Sequence, residues 1–339
     1  MGKPEFTTEV FRSGHVQGIA WDAEKEEMYF AFTTLLVKTD KTGRTLATVG
    51  NLAGHLGCIA FDEERRQVVG SLEMKHDAIG QGVIRSIGYD PCRDDLFYAV
   101  AFDCDRIDRI GMDAANDGVM RAVLLPEVCA DFAATDPVSG RRHRYGCSGI
   151  DGTAVGPAPG EEEGEKKLLI AYGIYSEPDR ADNDLQVILQ YPTDLFDRFG
   201  KTLFPSDPHR SAAECEKKYF FYTGNTEWGV QNLEYDAHSH RYLFAVYRGR
   251  KPAFQNPPLF FADATKKPVL TALPGRGGER GLLLLPASPS SSRFPLGQTG
   301  MIACGDGTFF FAEALRDCGD LARISVWSDA GGGNFVRME

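Results

Sequence analysis

Hydrophobic and polar positions along the chain fall into short runs rather than long helical periods. Residues 16–22 (VQGIAWD), 56–62 (LGCIAFD) and 230–236 (VQNLEYD) share one layout, an apolar run ending in an aromatic residue and an aspartate. After a brief polar turn a second apolar run follows each of them: MYFAF (28–32), QVVGSL (67–72) and YLFAV (242–246). Two looser copies are SGIDGTAV (148–155) before KLLIAYGIY (167–175), and TGMIAC (299–304) before TFFFAEAL (308–315). Runs rich in β-branched and aromatic residues, punctuated by Gly, Pro, Asp and Asn, predict strand–turn–strand units. Two more strands are expected behind each pair: LLVKTD and TLATVG, LFYAVAFD and VMRAVLLP, LQVILQY and KKYFFYT, PLFFAD and PVLTAL, ARISVW and NFVRM. Helical periodicity is confined to 76–87 and 192–200.

Five copies of a four-stranded unit resemble the β-propeller architecture, in which sheets repeat radially around a channel. The resemblance spans residues 1–339 and implies an all-β fold, a single domain of five four-stranded blades. A six-bladed alternative would promote IGYDPCRDDLFYAV (87–100) to a blade of its own. The stretch from Asp62 to Asp90 is too short for four strands of about 5–6 residues with their turns, so LFYAV is expected as the third strand of blade two. EFTTEVF near the N-terminus is spare and would close the ring on the last blade, removing two free edges. PAPGEEEGEKK (157–167) reads as a solvated hairpin tip and PASPSSSRFP (286–295) as a mobile connection.

The repeat also works as a map of chemistry. First strands line a propeller's channel and second strands run antiparallel to them, so first-strand starts and second-strand ends meet at one mouth. First-strand starts contribute His15, His55, Glu227, Trp228 and Gln298; second-strand ends contribute Glu73, Glu177, Arg248 and Arg316, with Lys75, His76 and Asp77 just beyond Glu73. His15, His55 and Glu73 form a set able to ligate a divalent cation such as Ca, Mn or Zn. Without metal, His15, His55, Glu73, His76 and Asp77 include the groups for acid–base catalysis. Arg248 and Arg316 suit an anionic substrate group, and Trp228 can stack on a sugar face. Gln17, Asp151 and Gln231 occupy one layer of the channel. Asn232 beside Gln231 resembles the N-G-L and D-G-x first-strand motifs of gluconolactonase-like propellers, which carry a metal in the channel. That family has six blades, and its set of four ligands is not complete here.

Structural readings compete with several of these. His15 and His55 can cap strand starts by bonding backbone, Glu73 with Lys75 can be a solvated turn, and the cations of 248–251 can be plain surface. The aromatic–Asp pairs, at Trp21–Asp22, Phe61–Asp62, Tyr89–Asp90 and Tyr235–Asp236, hold turns. His238 and His240 fall at the turn opposite the mouth. Asp179, Asp182 and Asp184 are an oxygen-rich set that lacks the EF-hand register for calcium.

Composition narrows the partners. The 339 residues carry a net charge of −11, which argues against nucleic acid and anionic membranes. No apolar run reaches the length of a membrane helix, and the start shows no secretory leader. The 8 cysteines form no C-x-x-C pair or zinc spacing and read as reduced structural thiols, which with the missing leader favours the cytoplasm; a piece cut from a secreted protein would read the same way. No P-loop, G-x-G-x-x-G, G-x-S-x-G or H-E-x-x-H occurs, so a nucleotide cofactor is not expected. The expected function is a hydrolase or lyase acting on a small polar, sugar-derived molecule at the mouth; the alternative is a non-catalytic propeller binding a ligand or protein.

Overall fold

The computed structural model describes residues 5–88, 90, 92–161 and 164–339. Five small sheets stand in a ring, each an antiparallel meander that starts at the channel. Blade one comprises Val16–Asp22, Glu27–Phe32, Leu35–Asp40 and Thr45–Gly50; blade two comprises His55–Asp62, Gln67–Met74, Leu96–Asp103 and Met120–Leu124. Blade three comprises Cys147–Pro157, Lys166–Ile174, Leu185–Pro192 and Lys217–Tyr222. The five-bladed count stands, because Leu96–Asp103 pairs along its length with Gln67–Met74 as a third strand. Tyr89 lies outside the described residues.

Blade four departs from the expected strand list, while blade five keeps to it. Blade four comprises Thr226–Asp236, Arg241–Arg248, Leu259–Asp263 and, as its outer strand, Pro286–Ser292. The segment expected as a mobile connection is therefore a paired strand. PVLTAL, expected in that place, instead supplies Val269–Ala272, which pairs with Arg280–Leu283, and the latter adds in parallel to the outer strand of blade three. An outer strand faces solvent, so its composition no longer reports its position: Pro286–Ser292 alternates exposed and half-buried residues. Blade five comprises Met301–Ala303, Thr308–Arg316 and Asp320–Asp329, and its outer position is shared by the two ends of the chain. Phe6–Thr7 pairs opposite Ile324 and Arg323, while Phe335–Arg337 pairs opposite Asp329 to Trp327. The N-terminal strand closes the ring as its spare status implied.

Both faces of every blade are covered by a neighbour, so inner strands are buried on both sides and read as continuous apolar runs. Five buried clusters fill the five gaps between blades. The aromatic–Asp turns work as expected: Asp22, Asp62 and Asp236 are buried and accept the backbone N–H groups of the two residues that turn the hairpin after them. Helices form at Ala78–Ile87 and Leu195–Phe199, within the expected segments, and also at Pro126–Ala133. The third was hidden by its brevity and by an apolar strand running straight into it. No helix among the described residues is long and apolar enough to cross a membrane.

Candidate functional site

The first strands carry register shifts at their mouth ends: between Val16 and Gly18, Leu56 and Ile59, Ile150 and Thr153, and Val230 and Asn232. Each shift re-aims side chains out of the ladder, as bulges beside binding sites do. A cavity of about 380 Å3 opens there. Its walls include His15, Gln17, His55, Glu73, Lys75, Ser148, Asp151, Trp228, Gln231 and Tyr247, and the helix Ala78–Ile87 covers one side with Ile79, Gly82, Val83 and Ser86. Residues from four blades thus converge on one space.

His55 and Glu73 are cross-strand partners in blade two. The His55 Nδ1 lies 3.1 Å from Glu73 Oε1, with both side chains buried. Lys75, two residues on and hence on the same strand side, places its ammonium 2.9 Å from the same oxygen and donates to Ser148 O at 2.6 Å. Glu73 Oε2 accepts the Ile150 N–H at 3.2 Å. Burial opposes the charge on Glu73, but Lys75 and then His55 outweigh it and hold the carboxyl below its usual range. Lys75 also loses solvation, yet Glu73, Asp77 and Asp151 keep its ammonium protonated well above the usual lysine range. An ionised Glu73 accepts from Nδ1–H of His55, which leaves Nε2 as the free acceptor on the ring.

Gly149 makes this arrangement possible. Its φ of 125° lies where only glycine is at ease, and a Cβ there would overlap Glu73 Oε2. Asp151 follows two residues later. Its Oδ2 accepts from Gln231 Nε2 at 3.1 Å, and it sits with His55 and Glu73 so that one ligand atom from each lies within 4.8 Å of the others. Burial, and next the negative charge of Glu73, push its carboxyl up to about 7. Two carboxyl groups side by side therefore have opposite tendencies, one held ionised and one inclined to keep its proton. His15 lies across the cavity; burial and then His55 hold its imidazole below the usual value. Trp228 adopts φ 63°, a conformation uncommon for a bulky residue, and its carbonyl accepts from Gln231 at 3.0 Å.

The remaining expected site residues are placed elsewhere. His76 turns away from the cavity to Asp95 (3.0 Å) and Asp90 (3.3 Å). Asp77 caps the helix Ala78–Ile87 through the Gly80 N–H at 2.8 Å and accepts from the Tyr175 hydroxyl. Glu177 pairs with Arg180, Glu227 with Arg250 and Arg316 with Asp320, each at 3.1 Å. Arg248 and Gln298 line a separate cavity of about 350 Å3 that shares Tyr247 as a wall. Several of these side chains are held by a nearby opposite charge rather than turned to the axis, while Arg248 donates to Asn256 O and Gln298 to Pro258 O.

Three structural readings also change. Glu73 and Lys75 form a buried ion pair rather than a solvated turn. Lys251 is buried and donates to Arg180 O, Asn183 and Asp184. Asp179, Asp182 and Asp184 are each neutralised by a cation, from Arg141, Arg180 and Lys251 in turn, which removes the basis for a calcium loop. Cys58, Cys92, Cys104, Cys129, Cys147, Cys215 and Cys318 form no disulfide. Sequence reasoning set Lys75 at the mouth without giving it a role, although its i+2 spacing from Glu73 was the signal for one, and passed over Ser148 and Tyr247.

No protein-family model matches the chain, and no curated protein matches it. Among solved structures, it is similar to a functionally unknown protein from Desulfotomaculum acetoxidans DSM 771, at 9% identity over 98% of this chain and 71% of the other, with a TM-score of 0.39. It is also similar to the PQQ-bound aldose sugar dehydrogenase from Streptomyces coelicolor, at 10% identity over 96% of this chain and 100% of the other, with a TM-score of 0.36.

Proposed function

We propose that the mouth cavity is the active site of a hydrolase or lyase that acts on a small polar, sugar-derived molecule by proton transfer. The observation that carries the reading is the buried His55–Glu73 pair at 3.1 Å, with the imidazole on a cavity that also holds Asp151. Glu73 orients the ring and stabilises the imidazolium that forms, Nε2 takes a proton from water or from the substrate, and Asp151 returns one to the leaving oxygen. Such a pair is worth roughly 10²–10⁴-fold in rate. Gln17 and Gln231 supply amides for hydroxyl groups, and Trp228 offers a flat face.

A second reading has its own support: His55, Glu73 and Asp151 are spaced to hold one divalent cation. These residues are chemically suited to it, and a bound ion would polarise a substrate oxygen or bound water. Against it stands Lys75, whose ammonium already sits 2.9 Å from one Glu73 carboxylate oxygen and repels a cation there. Metal analysis of the purified protein, with and without chelator, decides between the two. The catalytic reading is tested by incubating the protein with sugar lactones, followed by acid release, and with uronate oligosaccharides, followed by the absorbance of the unsaturated product. Turnover that His55→Ala and Asp151→Asn abolish while both variants stay folded supports it. Saturable binding without turnover, or variants as active as the parent, replaces it with a binding propeller.

A further inference from the structure

At the opposite end of the channel, first strands finish in their aromatic–Asp turns, and a second cavity of about 310 Å3 opens among them. The repeat makes its wall aliphatic: Ala20 and Ala60 occupy the position before the aromatic residue in blades one and two. In blade four the same position is Glu234. The same cavity is bordered by Trp21, Phe61 and Tyr235 from three blades, each of which also packs on a second ring: Phe310, Tyr29 and Tyr242 in turn. One Glu234 oxygen accepts the Ala303 N–H at 3.2 Å, and no cationic side chain pairs with this carboxyl among the described residues. Lys166, at the same cavity, is engaged with Glu63 at 3.1 Å. A carboxyl set into such a wall is costly without a countercharge, and no described residue supplies one.

From this geometry we infer a second binding site, at the turn end of the channel, for a small organic ammonium ion, held by the Glu234 carboxylate and the aromatic rings of Trp21, Phe61 and Tyr235. Aromatic faces attract a desolvated ammonium through their quadrupoles, and alkylated ammonium ions fit best because they shed water easily. Burial pushes the Glu234 carboxyl up to about 8, the state expected of an acid awaiting a countercharge. A bound cation supplies that charge, and the carboxyl then releases its proton to solvent.

The site is separate from the mouth. Asn232 crosses the channel between the two cavities, donating to Gln17 O at 2.8 Å and Gln298 O at 3.0 Å, with Cys58 Sγ 3.3 Å from its Oδ1. Titration of the full chain with choline, against its neutral isostere 3,3-dimethylbutanol, tests the inference by calorimetry and by the part of the tryptophan fluorescence change that Trp21→Leu removes. Saturable choline binding at least tenfold tighter than the isostere is expected. Glu234→Gln should weaken it at least tenfold, Trp21→Leu less, and His55→Ala not at all. Glu234→Ala restores the residue that blades one and two carry and guards against a folding artefact. Equal affinity for choline and the isostere, binding unaffected in both Glu234 variants, or no saturable binding would overturn the site.

Discussion

The two ends of the channel are made from the same first strands but follow different rules. At the turn end the ladders stay in register, from Ile19 opposite Phe30 to Asp22 opposite Glu27, and from Leu233 opposite Phe244 to Asp236 opposite Arg241. One device, an aromatic residue and a buried aspartate, repeats in three blades. At the mouth end the ladders slip, and each blade presents something different: His15, His55 with Glu73, Gly149 with Asp151, Trp228 with Gln231. Repetition builds the frame and departure from repetition builds the site. Glu234 is informative for the same reason, as a departure at the regular end.

The sharpest test of this contrast is turnover. His55→Ala at the mouth is expected to lower the rate by roughly 10²–10⁴-fold. His238, at the turn after blade four's first strand and exposed, should tolerate alanine with activity unchanged. Progress curves on a substrate found by the lactone and uronate assays compare the two variants directly.

Next in size is the buried ion pair. Lys75→Met leaves Glu73 without its cation, and loss of one partner of a buried pair costs about 3–5 kcal/mol. The double variant Lys75→Met/Glu73→Gln should regain most of that in urea denaturation. A single variant as stable as the parent would show that Glu73 is satisfied without Lys75.

The pH dependence of stability isolates Asp151. Its folded-state pKa is raised above the unfolded value, so folding favours the protonated form. The stability it contributes is fully present below about pH 4, the unfolded carboxylate value, and is lost as pH rises through the folded value of about 7. Asp151→Asn should therefore melt at a higher temperature than the parent at pH 8 and lose that advantage at pH 4. Glu73 has the opposite sign, since its contribution is lost as pH falls through its depressed value. A parent-like melting profile for Asp151→Asn at both pH values would break the assignment.

The smallest effect belongs to the turns. Asp62→Ala removes an acceptor from the Glu64 and Arg65 N–H groups, which lie in a turn that water can reach. A loss of about 1 kcal/mol is expected, with no change in turnover. A loss as large as that of Lys75→Met would erase the distinction between a repeated frame and a singular site.

Much of this molecule is local and therefore readable along the chain. A strand buried on both faces must be apolar throughout, and a tight hairpin needs an acceptor for its free N–H groups, so the blade units and the turn aspartates of Trp21–Asp22, Phe61–Asp62 and Tyr235–Asp236 follow from neighbouring residues alone. Antiparallel geometry carries this one step further, since His55 and Glu73 had to meet once their strands were paired. Other features needed the folded chain. Pro286–Ser292 is a strand because an edge in blade four was vacant, and Val269–Ala272 is displaced to blade three for the same kind of reason. Whether His76 reaches the cavity depends on Asp90 and Asp95, and whether Lys75 is solvent-exposed depends on Ser148, a residue of another blade. Asp151 becomes unusual only when the packing of blade three on blade two sets it beside Glu73 in the half-buried mouth. Pairing and turning are decided by what a residue is next to in the chain; charge, burial and convergence are decided by what the ring brings together.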